Sequence, residues 1–394
     1  MLQLSFVKFT KDSYILVEGR PATDRFYIIQ TGKVVCTKSL SFQTGEDTYT
    51  LGPGDFIGVI PCMSGRPQIE TVIALTDVVA ISVRRDQYPE LIEKNTPVAM
   101  KIIRTFANKM RNMNDVLTKI TLKSNIIASP EQLFAIASYY EKVGKRDLAI
   151  YGYYQYMKSC PKGVYLQHAK QRFIALKPTS RAVYFEPPKE AIRYYPKDTM
   201  IFSECQSGQD MFIIQDGQVK ISKVVDGNEV ILAVLKKGDF FGEMALLENK
   251  PRSASAIAHE DCRLMTVNRK NFDQMVTTQP QLISRLTTTF AERLWSIYRQ
   301  IENSQIREPM AKLLDMLALQ LEKTKIAVTS GVSWQFDLTP FDLAKMCGIP
   351  QAEQGDILTT FIRDPRIKLN NNKIFVKDCD ELLKYSAFVR KPKR

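Results

Sequence analysis

The chain has 394 residues, 44% of them apolar and 25% charged. That is ordinary for a folded water-soluble protein and too long for one core, so roughly two to four domains are expected. Its 55 Lys and Arg outnumber 42 Asp and Glu, a net charge of +13, which favours an anionic partner such as nucleotide or nucleic acid but equally suits a generally basic surface.

Seven dispersed cysteines without C-x-x-C spacing and only two histidines, His168 and His259, argue against an iron–sulfur cluster and a His-rich metal site. They fit the reduced thiols of a cytoplasmic protein. No basic segment followed by an apolar run opens the chain, and no uninterrupted apolar run reaches about 18 residues, so neither a signal peptide nor a membrane span is expected.

The first feature in chain order is a repeat. The stretch from Lys11-Asp12 recurs from Lys197-Asp198, with Glu18 matching Glu204 and Asp24 matching Asp210. A one-residue slip then sets 26–30 against 211–215, and Gly54-Asp55-Phe56 recurs as Gly238-Asp239-Phe240. Such slips fall in loops, where insertions are tolerated. The chain therefore holds two copies of one β-rich module. Strand-like runs at 26–30, 34–37, 72–74 and 78–83 are answered by 211–215, 219–223, 230–235 and 263–267.

After the first copy, Val98, Ile102, Phe106, Met110 and Met113 recur at helical spacing, and Lys101, Arg104, Lys109 and Arg111 read as the solvated opposite face. Residues 129–176 then place Leu133, Ala137, Tyr140, Gly144, Ala149, Tyr153 and Pro161 at the spacing of a tetratricopeptide repeat, with two helices meeting at Gly144-Lys145. One such repeat cannot bury its face alone. It must pack on a neighbouring domain or a protein partner, and a spacer and a peptide-binding groove both remain open. Phe185-Glu186-Pro187-Pro188 reads as a linker into the second copy.

The second copy contains Phe241-Gly242-Glu243-Met244-Ala245-Leu246-Leu247-Glu248-Asn249-Lys250-Pro251-Arg252-Ser253-Ala254-Ser255-Ala256. Gly lets backbone N–H groups approach an anion closely. Arg grips a phosphate through two parallel hydrogen bonds. A carboxylate beside an anion site is tolerated if it accepts from a neutral hydroxyl, so one phosphate next to one sugar hydroxyl fits the layout.

This stretch closely resembles the phosphate-binding cassette of cyclic-nucleotide-binding domains. The resemblance implies a ligand set of Gly242, Glu243, Met244, Ala245, Arg252 and Ser253. Gly242 and Ala245 would offer backbone N–H groups, Glu243 would take the ribose 2′-hydroxyl, and Arg252 and Ser253 would hold the cyclic phosphate. Cyclic AMP is the expected ligand, Ser253 alone does not separate it from cyclic GMP, and no cofactor is expected. In the first copy Gly58 stands where Gly242 does, but Val59 replaces Glu243, Gln68 replaces Arg252 and Glu70 sits opposite Ala254. A buried phosphate would meet a carboxylate and no cation there, Arg66 being the one nearby substitute, so that copy is expected to be silent towards cyclic nucleotides.

Past Pro280, Ile283, Leu286, Phe290, Leu294, Ile297 and Ile301 form one apolar stripe, too long for a helix that covers only its own small module. In the catabolite activator family, which the cassette and helix resemble, this is the dimer helix and its far end touches the bound base. Tyr298 would then stack on or hydrogen-bond the adenine. A homodimer and an intrachain pseudo-dimer both remain open.

Residues 308–394 resemble the winged-helix domain of the same family. Asp337-Leu338-Thr339-Pro340 caps one helix, Gly348 supplies the tight turn, 351–362 would be the recognition helix, and Asn370-Asn371-Asn372 the tip of a hairpin wing. Gln351 and Gln354 are candidates to read adenine, and Lys373 to contact phosphate. Yet no Arg or Lys lies between Met346 and Ile362, and Glu353 and Asp356 would oppose DNA. Arg363, Arg366, Lys368, Lys377 and the tail Arg390-Lys391-Pro392-Lys393-Arg394 are either phosphate contacts or a solvated surface.

The expected fold is α+β: a degenerate jelly-roll (β-roll) domain with its helix at 1–122, a helical hairpin insert at 129–178, a cyclic-nucleotide-binding β-roll with a long helix at 186–305, and a winged helix-turn-helix domain at 306–394. No P-loop, Ser/His/Asp set or metal-ligand cluster appears, so an enzyme is not expected. The function read from these features is a cyclic-nucleotide-responsive, DNA-binding transcription regulator. The alternative is a cyclic-nucleotide sensor acting through protein–protein contacts.

Overall fold

The computed structural model describes residues 4–38, 48–122, 129–182, 185–186, 190–225 and 227–390. In the first copy, short β-type runs broken by Gly and Asp turns form β1 (Ser5–Phe9), β2 (Tyr14–Leu16), β3 (Arg25–Thr31), β4 (Val34–Thr37), β5 (Thr48–Leu51) and β6 (Phe56–Ile57). Helix α1 (Val59–Ser64), β7 (Thr71–Ala74) and β8 (Val78–Arg84) complete it. The strands pair antiparallel in two four-stranded sheets, ordered β1-β8-β3-β6 and β2-β7-β4-β5. Side chains alternate across a strand, so Ile29, Val34, Cys36, Val72, Ala74 and Ala80 turn into one core. Helices α2 (Tyr88–Lys94) and α3 (Thr96–Leu122) follow. The α3 stripe is buried at Ile102, Phe106, Met110 and Met113.

The next segment folds into α4 (Gln132–Lys142), α5 (Arg146–Ser159) and α6 (Leu166–Leu176). The first two turn at Gly144, whose φ of 75° suits a residue without Cβ. The third helix was not foreseen: only Ala169 and Leu176 of α6 are buried, too sparse a stripe to read. The apolar faces of these helices pack with Met200, Cys205, Val224 and Ile257, so the second copy covers them. Phe185 joins that cluster, and Glu186 accepts from Tyr154 and Lys158. Half of the expected linker is therefore docked, while Pro187 and Pro188 lie outside the described residues.

The second copy comprises β9 (Ile192–Tyr195), β10 (Met200–Phe202), β11 (Met211–Asp216), β12 (Val219–Val225), β13 (Asn228–Leu235), β14 (Phe240–Phe241), α7 (Glu243–Glu248), β15 (Ser255–Ala258) and β16 (Cys262–Val267). Its sheets, β9-β16-β11-β14 and β10-β15-β12-β13, repeat the strand order of the first copy. The irregularities repeat too: register shifts fall between Ile29 and Thr31 and between Ile214 and Asp216. Lys11 N–H reaches Asp77 Oδ1 at 2.9 Å as Lys197 N–H reaches Asp261 Oδ1 at 2.8 Å.

Helices α8 (Arg269–Thr278) and α9 (Pro280–Ser304) come next. The chain then closes with α10 (Pro309–Thr324), β17 (Trp334–Gln335), α11 (Pro340–Met346), α12 (Gln354–Ile362), β18 (Ile367–Asn370), β19 (Lys373–Val376) and α13 (Cys379–Val389). The last three strands form a sheet ordered β17-β19-β18. Thr339 and Asp342 make a reciprocal capping box at the start of α11. Helix α12 starts later than expected, because Gln351–Glu353 is a 3₁₀ turn after Pro350. Lys391, Pro392, Lys393 and Arg394 of the basic tail lie outside the described residues.

The chain forms two compact units, one joining residues 1–116 to 270–299, the other joining 117–269 to 300–394. Nearly all of α8 and most of α9 therefore belong with the first copy. Tyr88 and Thr287 share a buried hydrogen bond of 2.9 Å, and the Arg66 guanidinium lies 4.7 Å from the centroid of the Trp295 ring. Ile283, Leu286, Phe290, Leu294 and Ile301 are at most 1% exposed within the single chain. The stripe that suggested a homodimer is thus already covered inside one chain. Among the described residues no helix is long and apolar enough to cross a membrane.

Candidate ligand site in the second copy

Gly242 turns the chain from β14 into α7 with φ 79°. A Cβ at this position would lie 2.8 Å from Arg252 Nη1 and 3.1 Å from the Asp210 carbonyl oxygen, so only Gly fits. Arg252 is 6% exposed. Its backbone N–H donates to Gln206 O and its carbonyl accepts from Cys205 N–H, both at 2.9 Å, which pins it to the loop after β10. Its Nη1 donates to Gly242 O at 2.7 Å, and the guanidinium lies 4.2 Å from the Phe202 ring centroid. Gly208 closes the other side, where a Cβ would come within 2.6 Å of Nε and Nη2.

Burial pulls the Arg252 guanidinium down to about 10, and Asp210 and then Glu243 oppose that shift. The group is still charged at neutral pH. Its buried Nε–H has no acceptor among the described residues. A desolvated cation with an unused donor is suited to receiving an anion. Glu243 is buried at the first position of α7, Met244 and Ala245 are buried beside it, and the Ser253 hydroxyl approaches Met244 Sδ at 3.6 Å. The structure thus gathers Gly242, Glu243, Met244, Ala245, Arg252 and Ser253 around one turn.

Tyr298 is a correction. It belongs to the first unit, where its hydroxyl accepts from Lys38 Nζ at 3.1 Å and Lys109 Nζ lies 5.7 Å from its ring centroid. Phe202, Gly208, Asp210 and Tyr151 were missed. Tyr151 on α5 donates to Gln206 Oε1 at 2.9 Å and so supports the loop that pairs with Arg252. Asp210 carried one signal, its match to Asp24 in the repeat; the others carried none.

In the first copy, Gln68 holds the backbone place of Arg252: its N–H donates to Arg20 O and its carbonyl accepts from Gly19 N–H, both at 2.8 Å. No guanidinium results. Glu70 instead accepts from Tyr49 Oη at 2.7 Å and lies 3.8 Å from Lys109 Nζ. Lys109, expected on a solvated face, therefore turns inward; that copy does hold a cation, already matched by its own carboxylate. Burial pushes the Glu70 carboxyl up, but Lys109 and Lys38 carry it below its ordinary value.

Residues 6–95 and 192–279 each match the family model of the cyclic nucleotide-binding domain. Both copies therefore match one and the same domain family. The cAMP-activated global transcriptional regulator CRP of Pasteurella multocida is 29% identical over 169 residues, 42% of this chain and 80% of that protein. The cyclic AMP receptor protein of Thermus thermophilus is 27% identical over 203 residues, 50% of this chain and 88% of that protein. Among solved structures, a transcriptional regulator of the CRP/FNR family from Thermus thermophilus is 22% identical, with a TM-score of 0.40, over 50% of this chain and 98% of that one.

The C-terminal residues expected at DNA are placed differently. Gln354 is 5% exposed and its Nε2 donates to Ile349 O at 2.8 Å, so it cannot read a base. Lys373 is paired with Asp337. Gln351 is exposed, but on the 3₁₀ turn. Arg366 pairs with Asp364 at 2.7 Å and lies over the Tyr385 ring. On the exposed face of α12 stand Asp356, Thr359 and Thr360. This module is tied to the second copy through Glu229 on β13, which accepts from Lys345 of α11 at 2.7 Å and from Lys220 at 2.8 Å. Tyr140 of α4 donates to the same carboxylate at 3.2 Å. Burial pushes Glu229 up, but Lys220 and Lys345 prevail and hold it at about 2.

Proposed function

We propose that the chain is a ligand-responsive regulator whose second cyclic nucleotide-binding domain takes cyclic AMP and whose first does not. The observation that carries this reading is the buried Arg252 guanidinium with its unused Nε–H. A cyclic phosphate would complete that donor set, with the ribose hydroxyl on Glu243 and the Ser253 hydroxyl alongside. A thermal-shift panel of cyclic mono- and dinucleotides on the full chain tests it. Cyclic AMP should stabilise the protein more than any other member, and a flat panel would remove the reading.

For the output, the order of α10, α11, α12 and the β18–β19 hairpin supports a winged helix, and the transcriptional regulators among the relatives support DNA binding. A second reading is favoured by the side chains of this module: on α12 Gln354 is buried and Asp356 exposed, and on β19 Lys373 is paired with Asp337. On that reading the module signals by protein contact. A gel shift across a salt series separates the two: ligand-dependent, sequence-specific retention supports DNA binding, and no retention at low salt supports protein contact.

A further inference from the structure

The loop that holds Arg252 is anchored differently from its counterpart in the first copy. Gly19 N–H donates to Gln68 O as Cys205 N–H donates to Arg252 O, and both residues have a left-handed backbone, φ 77° and 64°. A Cβ disfavours that conformation, so Gly is the ordinary choice. A Cβ on Gly19 would meet no atom within 4 Å. The Cys205 side chain is instead buried in the apolar cluster of the helical insert, and its Sγ donates to Gln132 Oε1 of α4 at 3.4 Å. Its neighbour Gln206, whose carbonyl accepts from Arg252 N–H, takes the Tyr151 hydroxyl of α5 on its side chain at 2.9 Å. The second copy thus uses a less permissive turn, and with it contacts both α4 and α5.

The insert reaches the C-terminal module as well. Helices α4 and α5 pack closely: a Cβ on Gly152, beside Tyr151, would lie 2.9 Å from Ala137 Cβ, so little play is left between them. From α4 the Tyr140 hydroxyl donates to Glu229 Oε1, and Glu229 Oε2 accepts from Lys345 of α11. Helix α9, the covalent route out of the second copy, belongs for most of its length with the first unit. We propose that the helical insert is the transmission element between the Arg252 site and the C-terminal module. The proposal rests on the reading that Arg252 binds cyclic AMP. A phosphate on Arg252 would draw the guanidinium from Gly242 O. The loop would follow, because both backbone groups of Arg252 are bonded to it. It would shift α5 through Gln206 and α4 through Cys205, and α4 would bias α11 through Tyr140 and Glu229.

The test is a linkage measurement on the full chain. Calorimetry gives the cyclic AMP affinity of the wild type, Tyr151→Phe, Lys345→Met and the double variant, with ligand-free Tm and circular dichroism recorded for each. Tyr151→Phe should weaken cyclic AMP about fivefold, the loss of one buried hydrogen bond. Lys345→Met should shift the affinity by about threefold or more, because coupling between sites is reciprocal. With Tyr151→Phe in place that shift should fall below about twofold. Hydrogen exchange should show cyclic AMP changing amide protection in α4, α5 and α11 of the wild type, and at saturating ligand the α11 change should at least halve in Tyr151→Phe. Cys205→Gly, which keeps the left-handed turn and removes the contact with α4, is the second variant and should behave likewise. No binding of cyclic AMP to the wild type would remove the reading of the Arg252 site and this proposal with it. Binding with an unresponsive α11, unchanged affinity in Lys345→Met, additive effects in the double variant, or a full α11 response in both Tyr151→Phe and Cys205→Gly would overturn the proposal alone.

Discussion

The two copies have the same strand order and share the register shift at Ile29/Thr31 and Ile214/Asp216, yet they handle charge in opposite ways. In the second, Arg252 is buried with one donor unused. In the first, Gln68 takes that backbone place, and Glu70 and Lys109 complete an ion pair from within the chain. The difference teaches that one fold can leave a buried cation with an open donor in one copy and match its cation internally in the other.

The sharpest way to break this comparison is Arg252→Ala. It should cost cyclic AMP affinity about 100-fold, roughly 3 kcal/mol for the charge-assisted bonds to a phosphate, with the ligand-free fold retained by circular dichroism. Next in size is the pH response of Glu229. Its folded value of about 2 lies below the ordinary 4.5, so its stabilisation is fully present above about 4.5 and is lost as pH falls towards 2, up to ~3 kcal/mol in all. Glu229→Gln should show that deficit at pH 6 in urea melts and lose it near pH 2; equal stability of the two proteins at pH 6 would count against the tie to Lys345.

Glu70→Ala probes the opposite copy. It strands Lys109 without its carboxylate and should lower stability by about 2 kcal/mol, read by denaturant melts, without changing cyclic AMP affinity. Gly208→Ala is subtler. Its methyl would displace the guanidinium, because Nε and Nη2 would stand 2.6 Å from the new Cβ, and cyclic AMP should bind about tenfold more weakly. Lys373→Ala should matter least: with its ammonium on Asp337, any DNA retention should change its salt slope by less than about one ion.

The repeat, the cassette and the C-terminal element order were legible because each is written in short-range signals: turn glycines at matched positions, a Gly-Glu-to-Arg spacing, a Thr-Pro cap. What escaped the sequence depends on partners distant in the chain. Lys109 looked solvated on helical periodicity, since nothing local reveals that Tyr49 and Glu70 stand opposite it. Tyr298 was assigned to the second copy because its helix follows that copy in sequence, whereas that part of the helix packs with the first. Gln354 looked available for a base until its side chain was seen turned back onto Ile349 O. Phe202 and Gly208, which shape the Arg252 cradle, belong to no motif.

Calorimetric titration of the full chain with cyclic AMP tests the division between the copies most directly. One equivalent should bind per chain, and Arg252→Ala should weaken that binding about 100-fold. Two equivalents, or one equivalent unaffected by that substitution, would contradict the assignment of ligand binding to the second copy alone.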